Sequence, residues 1–199
     1  MVVIGLTGGI GAGKSTALAY LRELGASVWD ADEVSRSVVE PGRAGAEAIR
    51  AAFGPGYFDE DGRLRREKLG DLVFRDEAAR AKLNGILHPA VLQDMDEWLE
   101  RSRAEGVAMA VVDVPLLFET GVEQKVDEVW VVSCGVDEQL RRVMARGLSQ
   151  EEAQRRIEAQ MPDRERRRRA RRVIDTNCPV EDTRRALKAL YEEAVEEER

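Results

Sequence analysis

The chain has 199 residues, 43% of them hydrophobic, enough to bury one ordinary core and short enough that a single α/β domain with insertions is the expectation. Its formal net charge is -7 although Lys and Arg number 31, which argues against a nucleic-acid binder with an overall basic surface and leaves room only for a local basic patch. Cys134 and Cys178 are the only cysteines, too few for a disulfide framework or a self-contained zinc site, so a reducing, cytoplasmic setting is expected. No run approaches the roughly 20 apolar residues that span a bilayer, and no membrane partner is expected.

The apolar run Val2-Val3-Ile4-Gly5-Leu6-Thr7 reads as a strand and leads directly into Gly8-Gly9-Ile10-Gly11-Ala12-Gly13-Lys14-Ser15-Thr16. No basic segment stands before it, as a secretory leader would require. The spacing fits the phosphate-binding pattern of a P-loop. Glycines let the backbone curl until successive N–H groups face one centre, Lys14 brings a charge to the β- and γ-phosphates, and the Ser15 hydroxyl can ligate Mg²⁺. Ser15 to Leu24 reads as a helix whose positive end points at the same anion. A plain Gly-rich turn would supply neither the Lys-Ser pair nor the flanking strand and helix. The loop points to nucleotide binding and is silent on the reaction.

After Gly25, Ala26 to Trp29 reads as a short second strand ending in Asp30-Ala31-Asp32. These carboxylates either face the ligand crevice beside the loop or cap a helix over Glu33 to Val39. In an extended segment both would point the same way, with Asp32 closer to an acceptor and Asp30 closer to metal-bound water or the loop backbone. From Glu33 to about Gly106 the pattern is helical, over Ala44 to Phe53, Arg65 to Phe74 and Glu77 to Arg103, with turns at Gly54-Pro55-Gly56 and Asp59 to Gly62. The long helix is expected to break at His88-Pro89, and the lone histidine reads more readily as structural than as catalytic. Val107 to Val112 is a buried parallel strand ending at Asp113, where P-loop proteins place a carboxylate for Mg²⁺. The loop Val114 to Glu119 either lines a pocket or packs. Glu128 to Ser133 and Val173 to Thr176 supply two more strands. Between them, Asp137 to Arg172 is helical and dense in arginine, with Ser149 and Glu152 spaced as a capping box. Arg155, Arg156, Arg164 and Arg166 to Arg169 read as a solvated face, or in part as a lid over a phosphoryl group. Glu181 to Arg199 closes the chain as an amphipathic helix with Leu187, Leu190, Tyr191 and Ala194 on one side.

Several of these pieces occur together in one family. Leu6 to Thr16, Asp30-Ala31-Asp32, Val39-Glu40-Pro41-Gly42, Leu87-His88-Pro89 and Pro115-Leu116-Leu117-Phe118-Glu119, followed by Arg142, Arg146, Gln160 and Asn177, closely resemble dephospho-CoA kinases over nearly the whole chain. The resemblance implies an α/β P-loop NTPase fold in three layers, with a five-stranded parallel sheet in the order 2-3-1-4-5. It also implies one domain composed of a core (1–32, 107–136 and 173–199), a helical acceptor-binding insertion (33–106) and a helical lid (137–172). The implied reaction is ATP-dependent phosphorylation of the ribose 3′-hydroxyl of 3′-dephospho-CoA, with ATP and dephospho-CoA as small-molecule partners, no nucleic acid, and a monomeric enzyme. By this similarity Asp32, Lys14 and Arg142 are catalytic, with Asp32 the base. Gly9, Gly11, Ala12, Gly13, Lys14, Ser15, Thr16, Arg142, Arg146 and Asn177 bind the nucleotide. Asp32, His88, Leu116, Leu117, Phe118 and Glu119 bind the acceptor, and Ser15 and Asp113 hold Mg²⁺. Arg142 and Arg146, four apart, are expected on one helical face. Two departures from the family pattern stand out: Arg171 and Arg172 where an acidic residue is usual, and Cys178 where Gly is usual, which bears on the adenine contacts. The rivals are another small-molecule kinase, such as a nucleoside monophosphate kinase, and a GTP-dependent switch. The latter should carry an Asn-Lys-x-Asp motif, and this sequence has none.

Overall fold

The computed structural model describes residues 1–198, which form two compact units, one of residues 1–29 with 102–198 and one of residues 30–101. The apolar runs become strands: β1 (Val2–Gly8), β2 (Ser27–Asp30), β3 (Met109–Asp113), β4 (Glu128–Ser133) and β5 (Arg172–Asp175), in a sheet ordered β2-β3-β1-β4-β5. β1 pairs in parallel with β3 and with β4, and β4 in parallel with β5. All seven residues of β1 are buried, which is why it reads as an unbroken apolar run rather than an alternating one. The chain fills the sheet on one side of β1 and then on the other, so the topological switch, where α/β sheets bind ligands, lies at the carboxyl end of β1.

Helix α1 (Lys14–Glu23) packs Ala17, Leu18 and Leu21 into the same core as Ile4, Leu6, Val111 and Trp130. The last helix, α9 (Val180–Glu197), adds Leu187 and Ala194, with Leu190 and Tyr191 partly buried beside them, the four positions expected on its apolar side. At the far end of β5, Arg172 meets the carboxylates of Glu128 (2.9 Å), Glu193 (2.7 Å) and Glu197 (3.1 Å). Burial alone would raise the Glu128 pKa, but the Trp130 indole and Arg172 hold it below its ordinary value. The Arg172 departure is thus a strand-end ion-pair network.

The residues between β5 and β4 that read as one arginine-dense stretch form three short helices: α6 (Val136–Met144), α7 (Gln150–Glu158) and α8 (Asp163–Arg169). Ser149 and Glu152 make the expected capping box at the start of α7.

The unit of residues 30–101 carries α2 (Ala31–Ser37), α3 (Ala44–Phe53) and α4 (Arg66–Arg75) around a small core of Val39, Ala46, Ile49, Phe58 and Leu69. The turn at 59–62 closes a hairpin tip, with Phe58 bridged to Leu64. The final helix of this stretch, α5 (Glu77–Ala104), runs through Pro89 without the expected break. Proline costs it the hydrogen bond to the Gly85 carbonyl, and in a helix of 28 residues the bonded turns on both sides carry the chain through. Among the described residues no helix is long and apolar enough to cross a membrane.

The carboxyl end of β1 depends on a glycine for steric reasons. A Cβ at Gly8 would lie 2.6 Å from the Val132 carbonyl oxygen, which belongs to the β4 backbone and cannot retreat. Gly8→Ala should therefore cost about 1–3 kcal/mol as an overpacking change. Thermal unfolding should show a midpoint several degrees lower than wild type; an unchanged midpoint would mean that β1 and β4 can part at no cost.

Candidate functional site

The loop from Gly9 to Gly13 joins β1 to α1, with Gly11 and Gly13 at φ 75° and 96°, backbone that other L-residues rarely adopt. Each of its carbonyls has a donor. Ala12 N–H donates to Gly9 O (3.0 Å), and Thr16 N–H (3.1 Å) and Ala17 N–H (3.2 Å) donate to Gly13 O. The three between are taken by side chains from far along the chain: Ile10 O by Gln139 Nε2 (2.7 Å), Gly11 O by Arg142 Nη1 (3.4 Å), and Ala12 O by the Thr176 hydroxyl (2.6 Å). Gln160 Oε1 accepts the Ile10 N–H at 2.8 Å.

Arg142 ties these supports together. Its guanidinium also donates to Thr176 Oγ1 (3.0 Å), Thr176 O (2.7 Å) and the Glu138 carboxylate (2.6 Å). Hydrogen bonds from Arg141 and then Arg142 hold the Glu138 pKa at about 2. Since that value is depressed, the pairing is fully present above about 4.5 and is lost only as pH falls toward 2.

Lys14 Nζ donates to Asp113 Oδ1, bringing the loop lysine to the carboxylate at the end of β3. Asp113 is buried, 4% exposed. Among the described residues no group of three or more His, Cys, Asp or Glu side chains could hold a metal. A hydroxyl and one carboxylate fit Mg²⁺, which is ordinarily held by one or two protein oxygens together with substrate phosphates rather than by an all-protein cage.

Arg166 of α8 lies over the loop. A Cβ built at Gly9 would sit 2.7 Å from both Arg166 Nη2 and Gln139 Nε2, so the glycine leaves room for these two groups. The residue is only 7% exposed. It donates to Met161 O, stands 3.8 Å from Asp163, and has a buried Nε without a partner. Burial lowers its pKa, against the charges of Asp163 and Glu119. Its neighbours Arg164, Arg167, Arg168 and Arg169 are exposed, as are Arg155 and Arg156.

Beside the loop is an open cavity of about 550 Å³ whose lining includes Gly13, Thr16, Arg142, Arg146, Thr176 and Cys178. Gly11 and Ser15 also reach it. Arg142 and Arg146 share the cavity but not a helical face. Helix α6 ends at Met144, and Arg146 stands in the turn that Gly147, at φ 92°, completes. The Asn177 N–H is engaged by Asp175 Oδ1 (2.8 Å), and it is Thr176 and Cys178 that line the cavity. Arg171 and Arg172 do not line it.

The residues expected on the acceptor side fall into different environments. Asp30 is the N-cap of α2, its Oδ1 accepting from the Asp32 (2.8 Å) and Glu33 (3.1 Å) N–H groups. The chain turns helical at Ala31, so Asp30 and Asp32 are not the parallel pair of an extended segment; Asp32 is exposed on the first turn. His88 is exposed on α5. In the loop after β3, Leu116 and Glu119 are exposed, whereas Leu117 is enclosed against Gly5. Phe118 is buried with the Arg169 guanidinium 5.4 Å from its ring centroid. Leu117 and Phe118 therefore support the loop, and only Leu116 and Glu119 offer surface to a ligand.

A family model described as dephospho-CoA kinase matches residues 2–182. The chain belongs to the dephospho-CoA kinase family. It is 49% identical to the dephospho-CoA kinase of Geobacillus kaustophilus over 193 residues, covering 96% of each chain. A solved Thermus thermophilus structure superposes with a TM-score of 0.80 at 39% identity, over 96% of this chain and 97% of that one. Dephospho-CoA kinase from Campylobacter jejuni superposes at 0.76 with 25% identity, over 99% and 98%.

In this kinase, sequence reasoning missed Gln139 and Thr176, and it did not single out Arg166 among the arginines read as a solvated face or in part as a lid. Arg166 lies in a run of four arginines, Arg166 to Arg169, and successive helical residues point about 100° apart. One of the four turns inward, and the run itself does not say which. Thr176 can be tested alone. Thr176→Val keeps the shape but leaves the Ala12 carbonyl and one Arg142 donor without their partner, a cost of about 1–3 kcal/mol. Titration with ATP should show a Kd raised roughly 10-fold or more; an unchanged Kd would mean that the loop holds its form without this hydroxyl.

Proposed function

We propose that the chain transfers the γ-phosphoryl group of ATP to the ribose 3′-hydroxyl of 3′-dephospho-CoA, giving CoA and ADP. The observation that carries this reading is the family match over residues 2–182, joined to a phosphate loop whose lysine meets the β3 carboxylate. In this reading residues 33–106 are the acceptor-binding insertion, residues 137–172 the lid, and the enzyme a monomer of the reducing cytoplasm.

Phosphoryl transfer passes through a loose transition state, so the protein's contribution is positioning and charge stabilisation. The N–H groups of Gly9 to Ser15 would cradle the phosphates. Lys14 would exchange its Asp113 contact for the β- and γ-oxygens, and the Arg166 guanidinium would meet charge that develops on the Gly9 side of the loop. Ser15 and Asp113 are the residues that would hold Mg²⁺, which would supply positive charge to offset that of the phosphates. Arg142 and Arg146 would close around the nucleoside. Asp32, exposed at the start of α2, would accept the hydroxyl proton as the bond to phosphorus forms.

Coupled measurement of ADP release over a panel of acceptors tests the reading. Dephospho-CoA should give the highest kcat/KM, with shikimate and nucleoside monophosphates near background; preference for another acceptor would sink it. On dephospho-CoA, Lys14→Ala should lower turnover by roughly 10³-fold. Asp32→Asn should lower kcat by about 10²-fold or more with ATP affinity little changed. Near-normal turnover in either variant would remove the role given to that residue.

A further inference from the structure

The segment Val39-Glu40-Pro41 has no part in the nucleotide site, yet it lines an open cavity of about 560 Å³ within the unit of residues 30–101, together with Arg36, Arg63, Leu64 and Arg66. Val39 is buried, 3% exposed, and belongs to the small core with Ile49, Phe58 and Leu69, so the floor is fixed. The opposite wall is the hairpin tip. There Arg63 N–H donates to Asp59 Oδ1 (2.7 Å), Asp59 N–H to Arg63 O (2.9 Å), and Arg65 N–H to Tyr57 O (2.8 Å). Arg66 Nη2 reaches across to the Arg36 carbonyl (2.9 Å), joining α4 to α2.

The cavity gathers three arginines that, among the described residues, have no carboxylate partner, in contrast to the paired arginines beside the loop and at the end of β5. Arg141, Arg142, Arg166 to Arg169, Arg171 and Arg172 all have a carboxylate within ion-pair distance. Among the described residues Arg36, Arg63 and Arg66 have none, although Glu40 shares their cavity. Three guanidiniums against one carboxylate leave two positive charges, which is what a diphosphate diester requires. Guanidiniums are the groups that recognise phosphate oxygens bidentately.

We propose that Arg36, Arg63 and Arg66 bind the diphosphate of the acceptor. This rests on the reading that the acceptor is dephospho-CoA and that Asp32 meets its 3′-hydroxyl. Asp32 and Arg36 both belong to α2. Four apart, they lie on the same face about 6 Å along the axis. A ribose carries its 3′-hydroxyl and its 5′-linked diphosphate on opposite sides of one ring, so the first at Asp32 puts the second one helical turn on, at Arg36. The apolar residues Val39, Pro41 and Leu64 then meet the start of the arm beyond the diphosphate, and Glu40 can accept a hydrogen bond from its hydroxyl or amide groups.

The test is steady-state kinetics on Arg36→Ala, Arg63→Ala and the double variant, with Arg63→Lys as the conservative control. All three positions are exposed, and melting curves check that the variants stay folded. The double variant should raise KM for dephospho-CoA on the order of 10²-fold with KM for ATP unchanged. Arg63→Lys should recover part of the loss. Inorganic pyrophosphate should compete with dephospho-CoA in the wild type and lose that competition in the double variant. Adenosine, which lacks the diphosphate, should bind wild type and double variant alike when a non-hydrolysable ATP analogue fills the nucleotide site. An unchanged KM for dephospho-CoA, or an equal loss for adenosine, overturns the inference and leaves the kinase reading standing. Wild-type enzyme that does not phosphorylate dephospho-CoA overturns both.

Discussion

A backbone loop that turns its N–H groups toward an anion must find donors for the carbonyls on its other side, because a buried carbonyl without a donor costs free energy comparable to a lost hydrogen bond. In this chain the two end carbonyls of the loop, at Gly9 and Gly13, are satisfied by local backbone. The three in the middle are satisfied by Gln139, Arg142 and Thr176, residues more than 120 positions away in sequence. The nucleotide loop is therefore not a self-sufficient motif. It takes its shape from α6 and from the end of β5, and that shape depends on the register of β4 with β5.

The same dependence joins structure to chemistry. Gln139 and Arg166 occupy the space that a side chain at Gly9 would fill, and Gln160, just after α7, holds the Ile10 N–H. Residues of the arginine-dense stretch thus brace the loop. A displacement of α6 or α8 would be felt by the loop, which gives a physical route from movement of this stretch to the phosphates. The Lys14–Asp113 contact adds a second constraint. It sets the loop lysine against a carboxylate whose chemistry suits Mg²⁺.

Much of the sheet was legible in the sequence because parallel strands covered on both faces leave continuous apolar runs, and β1, β3 and β4 are such runs. Strand order came from the family resemblance rather than from the runs. The P-loop was legible because its chemistry is local: glycines, lysine and serine at fixed spacing. Its braces were not, because a glutamine or threonine that donates to a distant carbonyl has no local signature. Helix ends were also hard to read. Arg142 and Arg146 are spaced like helical neighbours, but α6 stops between them, and Asp30 and Asp32 look like a strand-end pair although the chain has already turned into α2. Pro89 misled in the opposite direction, since a long helix absorbs the loss of one bond. The Arg172 departure belongs to an ion-pair network at the end of β5 away from the loop, a role that only three-dimensional neighbours reveal.

The phosphate loop is built in advance and held from behind by distant side chains. Amide hydrogen exchange at Ile10 in nucleotide-free protein tests it most directly, because that N–H belongs to the loop and its bond is to Gln160. Exchange should be slow in the wild type and clearly faster in Gln160→Ala, with the core strands as protected as before. Exchange at Ile10 as fast as in an unstructured peptide, in the wild type and without nucleotide, would contradict it.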